Sequence, residues 1–170
     1  MVIWLIGISG SGKTTLGTGL KRYLEEWGKQ CYMIDGDLVR RFHDNDLGYC
    51  REDRAANIKR ILLAAHVLDE AGIAAIVCNI SPFEELRDFA RRKIEGYSEI
   101  YLKRNVAASR ADDVKGMYSK NLGKTEIVGI DLSFDEPKGS DLVIDVDGES
   151  EGESLRKIIA FVEEKYAGEF

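Results

Sequence analysis

Near the start of the chain, Gly7-Ile8-Ser9-Gly10-Ser11-Gly12-Lys13-Thr14 matches the pattern G-x-x-x-x-G-K-[ST] in full, with Gly10 as a third glycine inside it. Glycines let a backbone curl until successive N–H groups converge on one point, a concavity suited to a phosphate. A helix opening behind such a loop adds its positive end. Lys13 supplies a point charge for β- and γ-oxygens, and the Thr14 hydroxyl is placed to ligate Mg²⁺. The motif carries this meaning only between a hydrophobic strand and an amphipathic helix. Val2-Ile3-Trp4-Leu5-Ile6 precedes it, and Leu16, Leu20, Tyr23, Leu24 and Trp27 follow at helical spacing. The expected ligand is ATP with Mg²⁺, held by Gly7, Ser9, Gly10, Ser11, Gly12, Lys13, Thr14 and Thr15.

A second group of chemical residues follows the next apolar run, at Ile34-Asp35-Gly36-Asp37. In open α/β sheets ligands bind beyond the carboxyl ends of the strands, so both carboxylates should face the phosphate cradle. Two acids there can hold Mg²⁺ through water and accept the proton of an attacking hydroxyl. Asp37 is the expected catalytic carboxylate and metal partner of Thr14, with Asp35 in support. An Asp-Gly turn without chemistry is the plainer alternative. Arg40, Tyr49, Arg54 and Asn57 come next; Arg54 and Asn57 share a helix face. Such arginines can grip an anion bidentately, and Tyr49 could stack on a ring. Further on, Ser81 reads as the cap of a helix whose first position is Pro82, a structural explanation complete in itself.

These residues need a scaffold, and the hydrophobic pattern supplies one. Short apolar runs at 2–6, 31–34, 73–79, 99–102 and 142–146 alternate with amphipathic stretches at 13–27, 51–71, 83–96, 106–121 and 154–166. That alternation implies a three-layer α/β fold around a mostly parallel five-stranded sheet. Ile58, Ile61, Leu62, Ala65 and Leu68 give the second long helix an inward stripe. With 170 residues and neither repeats nor linkers, a single domain over 1–170 is expected. The stretch 103–139 is rich in Lys and Arg and poor in apolar clusters. It reads as a helical lid that carries cations to a transferring phosphoryl group, or as a solvated surface helix.

The net charge of −6 argues against nucleic-acid binding, which needs a basic surface. No run approaches the length of a membrane span, and the first residues lack the pattern of a secretory leader. Cys31, Cys50 and Cys78 are too scattered for a metal site, and Cys31 and Cys78 read as buried thiols. The expected setting is cytoplasmic, with a small-molecule partner and neither nucleic acid nor membrane.

Taken together, G-I-S-G-S-G-K-T-T, I-D-G-D-L-V-R, N-D-L-G-Y-C-R-E-D-R-A-A-N-I-K-R, I-S-P-F, D-V-K-G-M-Y and V-G-I-D resemble the adenylylsulfate (APS) kinases, in family order from Gly7 to about Val146. The P-loop is generic, whereas the later segments are specific. The resemblance implies phosphorylation of the ribose 3′-hydroxyl of adenosine 5′-phosphosulfate, in sulfate assimilation. It implies that Lys13 and Thr14 serve ATP and Mg²⁺ and that Asp37 lies beside the reacting hydroxyl. Arg40, Arg54 and Asn57 would hold the phosphosulfate end, with Tyr49 on the acceptor base and Asp35 nearby. Ile80 and Ser81 would line the pocket through their backbone, Lys115 would come from the lid, and a homodimer is the common assembly.

Departures from the family pattern bear on the acceptor. Leu38 stands where the family has Asn, and Asp112 where the lid has Arg, with Arg110 two residues earlier. Ile127 replaces a Phe that stacks on the acceptor base, an interaction worth about 1–3 kcal/mol. The chain therefore also resembles the APS-kinase-like enzymes of capsule synthesis that accept cytidine diphosphoramidate. A GTP-hydrolysing switch is the third reading, and the N-K-x-D that reads guanine is missing.

Overall fold

The computed structural model describes residues 1–105, 107, 128–129 and 132–169. Its centre is a five-stranded sheet in the order β2-β3-β1-β4-β5, every pairing parallel. The strands are β1 (Val2–Ile6), β2 (Cys31–Asp35), β3 (Ala74–Cys78), β4 (Tyr97–Lys103) and β5 (Leu142–Asp145). Every residue of β1 and β3 is buried, as expected of central strands covered on both faces. Five α-helices are seen among the described residues: α1 (Lys13–Glu26), α2 (Gly36–Phe42), α3 (Arg51–Glu70), α4 (Glu84–Lys93) and α5 (Glu151–Lys165).

Alternation along β1 divides the core. Val2, Trp4 and Ile6 pack with Ile58, Ile61, Leu62 and Ala65 of α3 and with Leu86 and Ala90 of α4. Ile3 and Leu5 face Leu16, Leu20 and Leu24 of α1 and Ile158 and Val162 of α5. Because all five strands run the same way, their carboxyl ends meet along one edge. The loops after β1, β2, β3 and β4 are thereby gathered there from distant parts of the sequence.

Several sequence expectations need correction. Trp27, expected in the inward stripe of α1, is 60% exposed, because α1 ends at Glu26 and Trp27 forms its C-cap. The last helix begins at Glu151 rather than 154, since Ser150 and Glu153 form a capping box. The unexpected α2 starts at Gly36, where the Asp35 side chain accepts the Asp37 amide at 2.8 Å as an N-cap. Ser81 caps no helix: α4 begins at Glu84 after Phe83, and Asp135 Oδ2 accepts the Glu84 amide at 3.1 Å. That cap is supplied from 51 residues away, so local sequence could not reveal it. Cys78 is buried as expected, but Cys31 is only half-buried on edge strand β2. Most of the expected lid, with its helix at 106–121, lies outside the described residues; its nominal start, Lys103, is the last residue of β4. Among the described residues no helix is long and apolar enough to cross a membrane.

Candidate functional site

The chain leaves β1 at Gly7, whose φ of 146° is open to glycine and strained for other residues. A Cβ built there would stand 2.5 Å from the Leu102 carbonyl oxygen and 2.7 Å from Ser11 Oγ. The loop therefore passes directly beside β4 and closes over the buried Ser11. Gly10 and Gly12 are also left-handed, at φ 80° and 84°. Gly12 is the N-cap of α1 and, lacking a side chain, offers no cap of its own, an arrangement in which a helix N-terminus suits an anion. Lys13 Nζ donates to the carbonyls of Gly7 (2.8 Å) and Ile8 (2.7 Å) and to Ser11 Oγ (3.3 Å), which holds its ammonium over the loop. Ser9 is half-buried; Gly10, Thr14 and Thr15 are exposed at the mouth.

Beside this loop, Thr14 Oγ1 lies 3.4 Å from Asp35 Oδ2. Asp35 Oδ1 accepts the Asp37 amide, so one carboxylate links the cradle to the first turn of α2. Asp37 is exposed there. Gly36 is buried, and a Cβ on it would meet Asn79 Nδ2 at 2.4 Å, so β2 and β3 approach closely where both carboxylates emerge.

The acceptor residues expected from sequence are brought together, though several serve their own loop. Arg40 is 7% exposed and sends Nη1 to the carbonyls of Leu47 (3.0 Å) and Gly48 (2.7 Å). Arg54 Nε donates to the Tyr49 carbonyl at 2.7 Å. The Arg40 and Arg54 guanidinium carbons lie 4.5 and 5.3 Å from the centre of the Tyr49 ring. Tyr49 thus packs against two cations while keeping 43% of its surface exposed. Asp53 Oδ2 accepts the Gly48 amide at 2.9 Å, and Arg60 binds Asp46 through two 2.7 Å bonds. The Arg60 guanidinium holds the Asp46 carboxyl below its ordinary value. Asn57 is 2% exposed and donates to the Gly36 carbonyl at 3.3 Å, while its Oδ1 is buried with no hydrogen-bond partner among the described residues. A buried oxygen of this kind, on the side chain that donates to the Gly36 carbonyl, is suited to a ligand's donor.

Ile80 is half-buried and Ser81 buried, both on the loop after β3. Lys115 and Ile127 lie outside the described residues, as do Arg110 and Asp112. Arg104, one of the basic residues of the 103–139 stretch, follows β4 and reaches the phosphate loop, a contact the sequence did not show: its Nη1 donates to the Gly10 carbonyl and its Nε lies 3.4 Å from Asp147 Oδ1. Sequence reasoning missed Asn79, whose Oδ1 accepts from Ser81, and Arg87, which is 2% exposed. A buried arginine on a short helix has no local signature; only its partners reveal it.

With that geometry, the chain's likenesses are specific. Residues 1–145 match the family model described as adenylylsulphate kinase. The adenylyl-sulfate kinase of Staphylococcus carnosus is 36% identical over 169 residues, covering 97% of this chain and 85% of that one. That of Geotalea uraniireducens is 38% identical over 171 residues, covering 98% and 82%. The Mycobacterium tuberculosis APS kinase CysC, solved in complex with AMPPNP and APS, superposes with a TM-score of 0.88 at 33% identity, covering 95% of this chain and 96% of that one.

Proposed function

Because this chain belongs to the adenylylsulphate kinase family, we propose that it moves the γ-phosphate of ATP onto the ribose 3′-hydroxyl of adenosine 5′-phosphosulfate. The products are ADP and 3′-phosphoadenosine 5′-phosphosulfate. The observation that carries this reading beyond nucleotide binding is the continuous link from Thr14 through Asp35 to Asp37. It places Asp37 in the first turn of α2, where the Gly36 carbonyl accepts from Asn57, a side chain whose buried Oδ1 has no hydrogen-bond partner among the described residues.

The Thr14 hydroxyl and the two carboxylates are hard oxygen donors of the kind Mg²⁺ takes, and the 3.4 Å between Thr14 and Asp35 suits a shared ion. Mg²⁺ held there with ATP would supply charge neutralisation for the phosphate oxygens. Loop amides of residues 7–14 and the Lys13 ammonium hold the β- and γ-oxygens. As the 3′-oxygen bonds to the γ-phosphorus, the bond from that phosphorus to the β–γ bridging oxygen breaks and ADP leaves. Asp37 accepts the hydroxyl proton. Asn57, Arg54 and Arg40 shape the acceptor side with Tyr49, Ile80 and Ser81; Lys115 supplies the lid cation, and Ile127 borders the acceptor base.

The test is a coupled ADP-release assay on the purified protein with APS and, in parallel, a cytidine diphosphate derivative. Turnover of APS, lost about 10²-fold or more in Asp37→Asn with ATP affinity nearly unchanged, is the expected result. Turnover of the cytidine compound alone would overturn the acceptor assignment. An unaltered kcat in Asp37→Asn would remove that carboxylate from the reaction.

A further inference from the structure

Ser81 has a φ of 48°, in the left-handed region that a residue with a Cβ rarely enters, and it is 2% exposed. Each of its polar atoms is held by a side chain. Its amide donates to Asn79 Oδ1 at 2.9 Å, and its hydroxyl donates to the same oxygen at 3.1 Å. That hydroxyl accepts the indole N–H of Trp4 at 2.8 Å. Its carbonyl accepts from Arg87 Nη1 at 2.7 Å.

The three holders come from different elements. Trp4 stands in β1, the strand that runs into the phosphate cradle; Asn79 follows β3; Arg87 belongs to α4. Arg87 is itself anchored, donating to the Asp135 carbonyl at 2.6 Å and pairing with Glu84, with Glu99 Oε2 3.9 Å from its Nε. Strained backbone persists only where the surroundings over-determine it, and here they do.

We propose that Trp4, Asn79 and Arg87 are positioning residues that clamp Ser81, by its hydroxyl, amide and carbonyl, as one wall of the acceptor pocket. Through Trp4 that wall is tied to the strand carrying the ATP loop, so the two substrates are registered against each other. The inference rests on the reading above that residues 80–81 border the acceptor. Misplacing a reacting group by about 1 Å can cost on the order of 10²-fold in rate, so such a clamp affects chemistry without touching the reacting atoms.

The chain has two tryptophans, and Trp27 is 60% exposed; in a Trp27→Phe background the emission reports Trp4 alone. In that background Asn79→Leu should raise KM for APS about tenfold or more, leave KM for ATP within about twofold, and shift the Trp4 emission. Trp4→Phe, which removes the indole N–H donor together with the five-membered ring and keeps an aromatic side chain in the core, should repeat the kinetic split and is the second variant should Asn79→Leu fail to fold. A shifted emission with KM for APS unchanged would overturn the clamp, as would parallel rises of both KM values. Turnover of APS by the Trp27→Phe parent tests the proposed activity; only the parent-to-variant ratio tests the clamp.

Discussion

Asp35 and Asp37 are joined by a single hydrogen bond that does two things at once. The Asp35 Oδ1 that accepts the Asp37 amide at 2.8 Å starts helix α2, while the other oxygen of the same carboxylate meets Thr14 Oγ1 at 3.4 Å. A cap and a link to the phosphate loop are thereby one group. Asp35 thus couples local stability to the site.

Replacing Asp35 by Ala should cost about 1 kcal/mol of stability, the usual value of an N-cap. It should also lower activity by more than that loss of folded protein explains. Urea unfolding alongside ADP-release kinetics separates the two effects. A variant with full activity and reduced stability would leave Asp35 a cap alone.

For Lys13→Ala, activity should fall about 10²-fold or more, the loss typical of removing one preorganised donor to developing charge. The fold should survive, because Lys13 Nζ bonds the Gly7 and Ile8 carbonyls and Ser11, all within the loop that precedes it, and the buried sheet core does not depend on that loop. Circular dichroism and calorimetric titration with ATP–Mg²⁺ check both halves. Unchanged ATP affinity would contradict the assignment.

Gly7→Ala should be severe. The new Cβ would sit 2.5 Å from the Leu102 carbonyl at a φ of 146°, and neither backbone can retreat within a buried sheet. A loss of about 2 kcal/mol or more is expected, lowering Tm by roughly 4–8 °C in a chain of this size, with weakened ATP binding. A thermal melt with and without ATP measures it, and an unchanged Tm would show that the loop has room the geometry denies.

Alkaline pH should destabilise the fold through Tyr97. Burial pushes its phenol well above the ordinary 10.0, and the neighbouring Glu99 carboxylate pushes it the same way. Because the folded pKa is raised, the stabilisation is complete below about pH 10 and is lost progressively above it, as the unfolded chain releases a proton that the native state retains. Denaturation series between pH 9 and 11 should show this slope, and Tyr97→Phe should flatten it. An identical slope in that variant would assign the effect to other groups.

How much could be read without the structure varies by element. β1 and β3 were visible because central parallel strands covered on both faces are apolar at every position. The inward stripe of α3 held for Ile58, Ile61, Leu62 and Ala65, which its 3.6-residue period gathers on one face. Helix α2 was not visible: it has seven residues, and Asp-Gly-Asp reads equally well as a turn. Its start depends on the Asp35 cap, on a buried Gly36 beside Asn79, and on Asn57 reaching the Gly36 carbonyl. Likewise Arg40 and Arg54 were legible as cations near the site. Their engagement with Tyr49 and with carbonyls of the 47–49 segment was not, since it requires the loop to fold back on them.

By itself the sequence determined the phosphate loop, the strand before it, the helix after it and the acidic pair that follows the second strand. These are local features, written in contiguous residues whose backbone freedom and charge suffice to define them. Only the tertiary structure decided the state of Ser81, held by Trp4 across 77 positions, and the reach of Arg104 to Gly10 across 94. A parallel sheet brings such residues to one edge by long crossovers. Their hydrogen bonds therefore exist only once the strands are in register, and no short window of sequence contains both partners.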